Sequence, residues 1–321
     1  MTVLVTGAAG FIGFHVATAL LARGDRVIGF DNLNTYYDPR LKEARLALLR
    51  ESPGFRFIRG DVSDRAAMET VTAEYPDIQG IVHLAAQAGV RHSLVDPYSY
   101  VTSNVMGHLV VLEAARRLKG LRHLVYASTS SVYGANTAMP FRETDRVDTP
   151  VSLYAATKRA DELMSHAYAH LFGLPQTGLR FFTVYGPWGR PDMAYYSFAR
   201  AIVAGETLTL YDGGLLKRDF TYVDDIVAGV VGALDQPPAA GPRVLNIGNH
   251  RGEEVRELVR LLEDALGKKA IVRTAPRPAV DVEETFASID AISALTGFAP
   301  KTPLLLGIPR FVTWFRQWHG V

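Results

Sequence analysis

A short apolar strand that runs straight into three evenly spaced glycines constrains this chain more than any other feature. Val3-Leu4-Val5-Thr6 is β-branched or apolar with no alternation, the pattern of a strand buried on both faces. Gly7, Gly10 and Gly13 follow, and Phe14 to Arg23 reads as a helix ended by Gly24. Strand, glycine turn and helix in that order form a dinucleotide-binding turn. Gly7 allows the tight turn, Gly10 lets backbone N–H groups approach a pyrophosphate, and Gly13 lets the helix pack closely on the strand. The phosphates belong at the helix N-terminus, where unpaired N–H groups and the dipole favour an anion. The spacing differs from the Gly-x-Gly-x-x-Gly of the dehydrogenase fingerprint, and an ordinary strand–helix turn would also fit it. The next strand decides between them. Arg26–Phe30 ends in Asp31, 18 positions beyond Gly13, where a carboxylate binds the adenosine ribose hydroxyls. That carboxylate would repel the 2′-phosphate of NADP, so the expected cofactor is NAD.

The 321 residues suffice for one large α/β domain and a smaller lobe. With 34 Lys and Arg against 33 Asp and Glu, the charge of +1 makes no bulk case for nucleic acid or an anionic membrane. Any anionic ligand must be held by local groups. The chain has no cysteine, which excludes disulfides, thiolate nucleophiles and Cys-based metal sites. The nine histidines form no His-Glu-x-x-His pattern, so no metal is expected. The first strand begins at the N-terminus, and the apolar run Ile226–Leu234 is far short of the ~20 residues that span a bilayer. A cytoplasmic protein without membrane segments is the expectation.

Further along, strands and helices alternate. Asn32 opens a loop that runs into a helix with apolar spacing at Leu41, Ala44 and Leu48. Strands are expected at Phe55–Ile58, Gly80–Ala86, His123–Ala127 and Thr177–Phe182, and long helices at Val101–Leu118 and Leu153–Phe172. Asp61, at a strand end, reads equally as a turn or cap residue and as a neighbour of the adenine. The alternation predicts a Rossmann-type, doubly wound parallel sheet with ligands at the strand C-terminal ends. After Gly186 the pattern breaks up. A smaller, interleaved α/β substrate-binding lobe is expected from 186–217 and 251–321, while 1–185 and returning segments at about 218–250 form the NAD-binding domain.

Tyr154 and Lys158 stand four apart on one helix face. A tyrosine, with its usual pKa of ~10, is a poor base at neutral pH, but a nearby ammonium favours the phenolate. The helix starts close to the hydroxyl cluster Ser128-Thr129-Ser130-Ser131. Thr129, Tyr154 and Lys158 over a nicotinamide form a set for proton and hydride transfer at a carbinol carbon.

With these residues in view, the chain resembles the extended short-chain dehydrogenase/reductases, and among them the NAD-dependent nucleotide-sugar epimerases. The resemblance covers essentially the whole chain. It rests on Gly7/Gly10/Gly13, Asp31-Asn32, Asp61-Val62, His83-Leu84-Ala85-Ala86, Asn104-Val105-x-Gly107, Ser130-Ser131-Val132-Tyr133-Gly134, Tyr154-x-x-x-Lys158 and Arg218-Asp219-Phe220-x-x-Val223-x-Asp225. The loop Asn32-Leu33-Asn34-Thr35-Tyr36-Tyr37-Asp38-Pro39 and the run Ala86-Gln87-Ala88-Gly89-Val90-Arg91 look most like UDP-glucuronate 4-epimerases. Related dehydratases and decarboxylases carry a Glu before Val-Tyr-Gly, where this chain has Ser131.

The resemblance implies Tyr154 as base, Lys158 as the lysine orienting ribose and tyrosine, and Thr129 as the catalytic hydroxyl. It implies cofactor contacts from Gly7, Gly10, Phe11, Ile12, Gly13, Asp31, Asn32, Asp61, Val62, Leu84, Ala85, Ala86, Asn104 and Phe182. It further implies that NAD takes a hydride from C4 of a UDP-sugar and returns it to the other face of a rotated 4-keto uronate. The β-keto acid must be kept from losing CO2, a task for Thr129, Ser130, Ser131 and Thr183 with Arg190; strand-end capping is the other reading for Ser130 and Ser131. Arg91 leans toward an acidic sugar, Tyr211 would stack on the uracil, and Arg218 would hold the diphosphate. Arg277 is a second diphosphate candidate, although Arg277-Pro278-Ala279-Val280-Asp281 is one residue longer than the family's run and lacks its glycine. The two long helices resemble those through which the family forms homodimers by a four-helix bundle; stripes that only face the sheet are the alternative. A UDP-glucose/galactose 4-epimerase or other nucleotide-sugar epimerase is the competing enzyme, and a non-catalytic NAD-sensing regulator the competing class.

Overall fold

In a computed structural model, described for residues 1–239, 241–278 and 281–321, the first half of the chain alternates as expected. The elements are β1 (Thr2–Thr6), α1 (Phe11–Ala22), β2 (Arg26–Asp31), α2 (Pro39–Arg50), β3 (Phe55–Arg59), α3 (Arg65–Glu74), β4 (Ile78–His83), α4 (Pro97–Tyr100), α5 (Gly107–Ala115), β5 (His123–Thr129), α6 (Leu153–Phe172), β6 (Gln176–Phe181) and β7 (Thr183–Tyr185). The second half adds α7 (Ala194–Ala204), β8 (Thr207–Tyr211), β9 (Lys217–Arg218), β10 (Phe220–Tyr222), α8 (Val223–Leu234), β11 (Arg243–Ile247), β12 (Glu253–Glu254), α9 (Val255–Leu266), β13 (Ile271–Ala275), β14 (Glu284–Thr285), α10 (Asp290–Thr296) and α11 (Leu304–His319).

Seven strands form one parallel sheet in the order β11-β6-β5-β4-β1-β2-β3. The uninterrupted apolar run of β1 has a direct cause. Val3 and Val5 enter the core with Phe14, Val16, Leu20, Ile226 and Val230 of α1 and α8, whereas Leu4 joins the opposite layer with Ile28, Val111 and Leu112. Both faces are covered, so no polar alternation survives. After α8 the chain returns to the sheet as β11, beside β6. The smaller lobe has its own core, in which Tyr195, Ile202, Leu258, Leu262, Phe311 and Phe315 join α7, α9 and α11. It also carries the parallel pair β8–β13 and the short sheet β12-β9-β14.

Two local expectations are corrected. The helix anticipated over Val101–Leu118 starts earlier and is interrupted: α4 leads into a π-helical stretch, Val101–Met106, before α5 ends at Ala115. The buried face of α2 is Leu41, Lys42, Arg45, Leu46 and Leu49, with Leu48 exposed, in place of Leu41, Ala44 and Leu48. Leu41, Arg45 and Leu49 lie at i, i+4 and i+8, so a cation takes a core position. Val101, Met106, Leu163, Leu171 and Phe172 are exposed, so the apolar surface of these helices does not all face the sheet. Among the described residues no helix is long and apolar enough to cross a membrane.

Candidate active site

A cavity of about 1040 Å³ runs along the C-terminal ends of the main-sheet strands, from the glycine turn to the smaller lobe. At one end, Gly7 has φ +71° and a Cβ there would stand 2.7 Å from the Ala85 backbone nitrogen. A Cβ on Gly13 would stand 2.0 Å from the Gly7 carbonyl oxygen, and one on Gly10 2.9 Å from it. The three glycines therefore let the turn fold back on itself and lie against the end of β4. No side chain caps α1 and no acid occupies its first turn, so its N-terminal N–H groups at Phe11, Ile12 and Gly13 are left for an anion.

Asp31 lines the cavity. Its Oδ2 accepts from Ala9 N at 3.1 Å and its Oδ1 from Leu33 N at 2.8 Å, which leaves lone pairs for a diol. Asn32, Val62, Leu84, Ala85, Ala86 and Phe182 also form the wall. Asp61 does not. It accepts from Ser63 N (2.9 Å), Ser63 Oγ (2.7 Å) and Asn32 Nδ2 (2.7 Å). Burial alone would raise its carboxyl, but these donors hold it below the ordinary range. These bonds give Asp61 the turn role, and its Oδ2, with one donor, keeps a lone pair. Asn104 is likewise absent from the wall. Its amide bonds both backbone groups of Gln87 and, at 3.0 Å, Thr157 Oγ1, so it ties the loop after β4 to α6.

Sequence reasoning passed over two cations of α2. Lys42 lines the cavity, donates to Asn34 O and Oδ1 at 2.8 and 2.6 Å, and is lowered by burial to about 8, with nearby Asp31 opposing. Arg45 has no exposed surface. It donates to Ala9 O (2.8 Å), Tyr37 Oη (2.7 Å) and Trp188 O (2.5 Å), linking the glycine turn to the loop that carries Arg190. The signal was present: both stand in register with leucines on one helix face.

At the centre of the cavity α6 presents Tyr154 and Lys158. Ser152 caps this helix by accepting from Ala155 N at 3.1 Å. Lys158 Nζ donates to Asp161 Oδ2 at 2.6 Å, and both residues are buried. Burial pushes the Asp161 carboxyl up to about 6 despite the pull of Lys158. Thr129 ends β5. Its Oγ1 accepts from Ser131 N at 3.2 Å and lies 3.3 Å from Ser131 Oγ, so Thr129 itself caps the following turn. Ser130, Ser131 and Thr183 line the same cavity. Beneath them Ser128 Oγ donates to Glu162 Oε1 at 2.6 Å, and Glu162 also receives Arg180 at 2.8 and 2.9 Å.

At the far end, Arg190 makes a bidentate pair with Asp192 (3.0 and 2.5 Å), and Tyr36 Oη donates to the same carboxylate at 3.2 Å. Arg91 crosses the cavity mouth to Asp281 at 2.7 Å and lies 4.8 Å over the Tyr211 ring. Arg218 joins this rim and donates to the Lys217 and Glu283 carbonyls; burial lowers its guanidinium, with Asp281 opposing. Arg277 faces Asp212 and Glu283 at 3.8 and 3.7 Å, away from the cavity wall. Two residues of the altered run after it, Ala279 and Val280, lie outside the described residues.

Comparison with known proteins matches residues 3–248 to a family described as the NAD dependent epimerase/dehydratase family. The chain is 46% identical to a probable UDP-glucuronate 4-epimerase of Rhizobium meliloti, over 99% of this chain and 97% of that protein. It superposes with a TM-score of 0.93 and 34% identity on the UDP-glucuronic acid 4-epimerase of Bacillus cereus, solved with UDP-glucuronic acid and NAD, covering 99% and 100% of the two chains. The UDP-glucose 4-epimerase of Thermotoga maritima, solved with UDP-glucose, gives a TM-score of 0.89 and 30% identity over 99% and 100%.

Proposed function

The chain belongs to the NAD-dependent epimerase/dehydratase family, and from that premise we propose that it inverts C4 of a UDP-linked uronic acid, interconverting UDP-glucuronate and UDP-galacturonate in the cytoplasm. The observation that carries this reading is the cavity wall at the end of β5. Tyr154 and Lys158 meet Thr129, Ser130 and Ser131 there, with Thr183 at the start of β7, just beyond the end of β6, and no carboxylate in that stretch of wall. A Ser at position 131 leaves the extra acid/base step of a dehydratase without an agent.

The glycine turn, the uncapped start of α1 and the free lone pairs of Asp31 fit a dinucleotide, and Lys42 adds a cation beside Asp31 for its phosphates. NAD supplies, when bound, the hydride acceptor that makes a ketone at C4 reversible. Tyr154 as phenolate takes the C4 hydroxyl proton and later returns it. Lys158 stabilises the phenolate and orients the cofactor ribose, and Thr129 hydrogen-bonds the reacting oxygen. The hydroxyls of Ser130, Ser131 and Thr183 hold the uronate carboxylate away from alignment with the carbonyl π system and so hold back decarboxylation. Arg190, already neutralised by Asp192, contributes shape and a residual N–H in place of a bare charge. Arg218 serves the diphosphate and Tyr211 the uracil, and Arg91, paired with Asp281 at the cavity mouth, is the cation that leans toward an acidic sugar. Arg277 is not assigned to the substrate.

On this reading residues 1–185 with about 218–250 hold the cofactor, and 186–217 with 251–321 hold the nucleotide sugar. Dimerisation through α4–α5 and α6 would cover Val101, Met106, Leu163 and Phe172, and sedimentation tests it. The likeness to a UDP-glucose 4-epimerase favours a neutral sugar as the second reading. Incubating the purified protein, without added NAD, with UDP-glucuronate and with UDP-glucose separates the two. Turnover of UDP-glucose alone replaces the proposal, and turnover of neither points to the non-catalytic regulator.

A further inference from the structure

Behind the lysine of the site lies a carboxylate for which the reaction has no use. Asp161 sits one helical turn beyond Lys158 with no exposed surface, and its Oδ2 takes one N–H of the Lys158 ammonium at 2.6 Å. Among the described residues its Oδ1 has no hydrogen-bond partner. A buried carboxylate so poorly satisfied persists only where a cation faces it, and a buried ammonium needs a counter-ion for the same reason. The other ionisable groups around the pair are already settled. Glu162, on the same helix, is taken up by Ser128, Arg180 and Arg159. His83 of β4 and His108 of α5 are kept neutral by burial, and Tyr126 of β5 is kept protonated by burial.

An ammonium has three N–H donors. We propose that Asp161 is a positioning residue: it fixes the Lys158 ammonium from behind, keeps it charged in a desolvated place, and leaves its two other N–H donors for the cofactor ribose diol and the Tyr154 oxygen. This rests on the assignment of Lys158 to cofactor and tyrosine given above.

The test compares Asp161→Asn, Asp161→Glu and Lys158→Met with the parent enzyme, using the NAD carried through purification and the pH profile of kcat. Asp161→Asn should carry about tenfold less NAD, and the high-pH limb of its profile should move down by about one pH unit or more, because a desolvated ammonium without its counter-ion gives up its proton sooner. Asp161→Glu should restore both in part. In a Lys158→Met background, Asp161→Asn should remove no further NAD. If Lys158→Met is impaired while Asp161→Asn keeps its NAD and its limb, the inference is overturned and the assignment of Lys158 stands. An unimpaired Lys158→Met overturns the assignment itself. A kcat lowered equally at every pH with full NAD content marks a purely structural residue and also overturns the inference. Should Asp161→Asn fail to fold, Asp161→Glu decides, since a displaced carboxylate must still shift the limb and the NAD content.

Discussion

Glu162→Gln is the most informative single change, because Glu162 joins three elements of the site at one buried point. Its carboxylate on α6 accepts from Ser128 Oγ of β5 at 2.6 Å, from Arg180 Nε and Nη2 of β6 at 2.8 and 2.9 Å, and from Arg159 at 3.0 Å. Arg180 in turn donates to Tyr133 Oη at 3.0 Å. The amide would keep one acceptor and aim an NH2 at a guanidinium that is 3% exposed and has no other carboxylate to turn to among the described residues. Breaking a buried pair by removing one charge costs about 3–5 kcal/mol. At about 1.5 °C per kcal/mol for a chain of this length, the melting temperature should fall by about 4–8 °C. Arg159→Ala is the internal control: it touches the same carboxylate but is partly exposed, so it should cost under about 1 kcal/mol. Burial would raise the Glu162 carboxyl, but Arg180 and Ser128 outweigh it and hold it below its usual value of 4.5. The stabilisation is therefore complete above about pH 4.5 and lost as pH falls through the lower folded value. Thermal denaturation from pH 8 to 4 should show a constant deficit in Glu162→Gln down to about pH 5 that shrinks below it. A melting shift under about 3 °C, or one equal to that of Arg159→Ala, refutes the buried-pair reasoning.

Three further outcomes are expected. Gly13→Ala must push a methyl group against the Gly7 carbonyl, where its Cβ would stand at 2.0 Å, whereas Gly10→Ala meets one oxygen at 2.9 Å. Gly13→Ala should therefore lose NAD by about tenfold or more and Gly10→Ala by less, as read by cofactor content; equal losses would contradict the packing argument. Thr183→Val should raise the UDP-pentose by-product from UDP-glucuronate, measured by chromatography, and an unchanged product ratio removes Thr183 from the carboxylate clamp. Burial draws down His15, His83, His108 and His123, while it pushes Asp161 and Asp219 up to about 6. Between about pH 6 and 4 the unfolded chain thus binds about four protons on histidines that the native state refuses, and the native state binds about two on aspartates that the unfolded chain refuses. Stability should fall by about 3 kcal/mol per pH unit of acidification, and urea unfolding that is flat from pH 7 to 5 would disprove it.

The turn Gly7–Gly13, Asp31, and the pair Tyr154 and Lys158 could be read before any fold was known because each is a local pattern. A glycine turn needs neighbours within a few residues, a buried strand shows its apolar run, and a four-residue spacing sets two side chains on one helix face. The substrate reading came from resemblance, since no period or spacing distinguishes a hydroxyl that clamps a carboxylate from one that caps a strand end.

Long-range contact decided the rest. Lys42 and Arg45 stand in register with leucines of α2, but only the oxygens of Asn34, Ala9 and Trp188, distant in part along the chain, let two cations be buried on that face. Asn104 and Asp61 carry family motifs, and their polar atoms also bond Gln87, Thr157, Ser63 and Asn32, partners no spacing in the sequence reveals. Asp161 is ordinary in sequence and becomes notable only when α6 and α5 enclose it with Lys158. By itself the sequence determined the sheet, the glycine turn and the placing of Tyr154 and Lys158 on one helix face, because backbone geometry and periodicity act over a few residues. Only the tertiary structure decided which charges are buried and what faces them, because desolvation and ion pairing depend on partners that lie far apart along the chain.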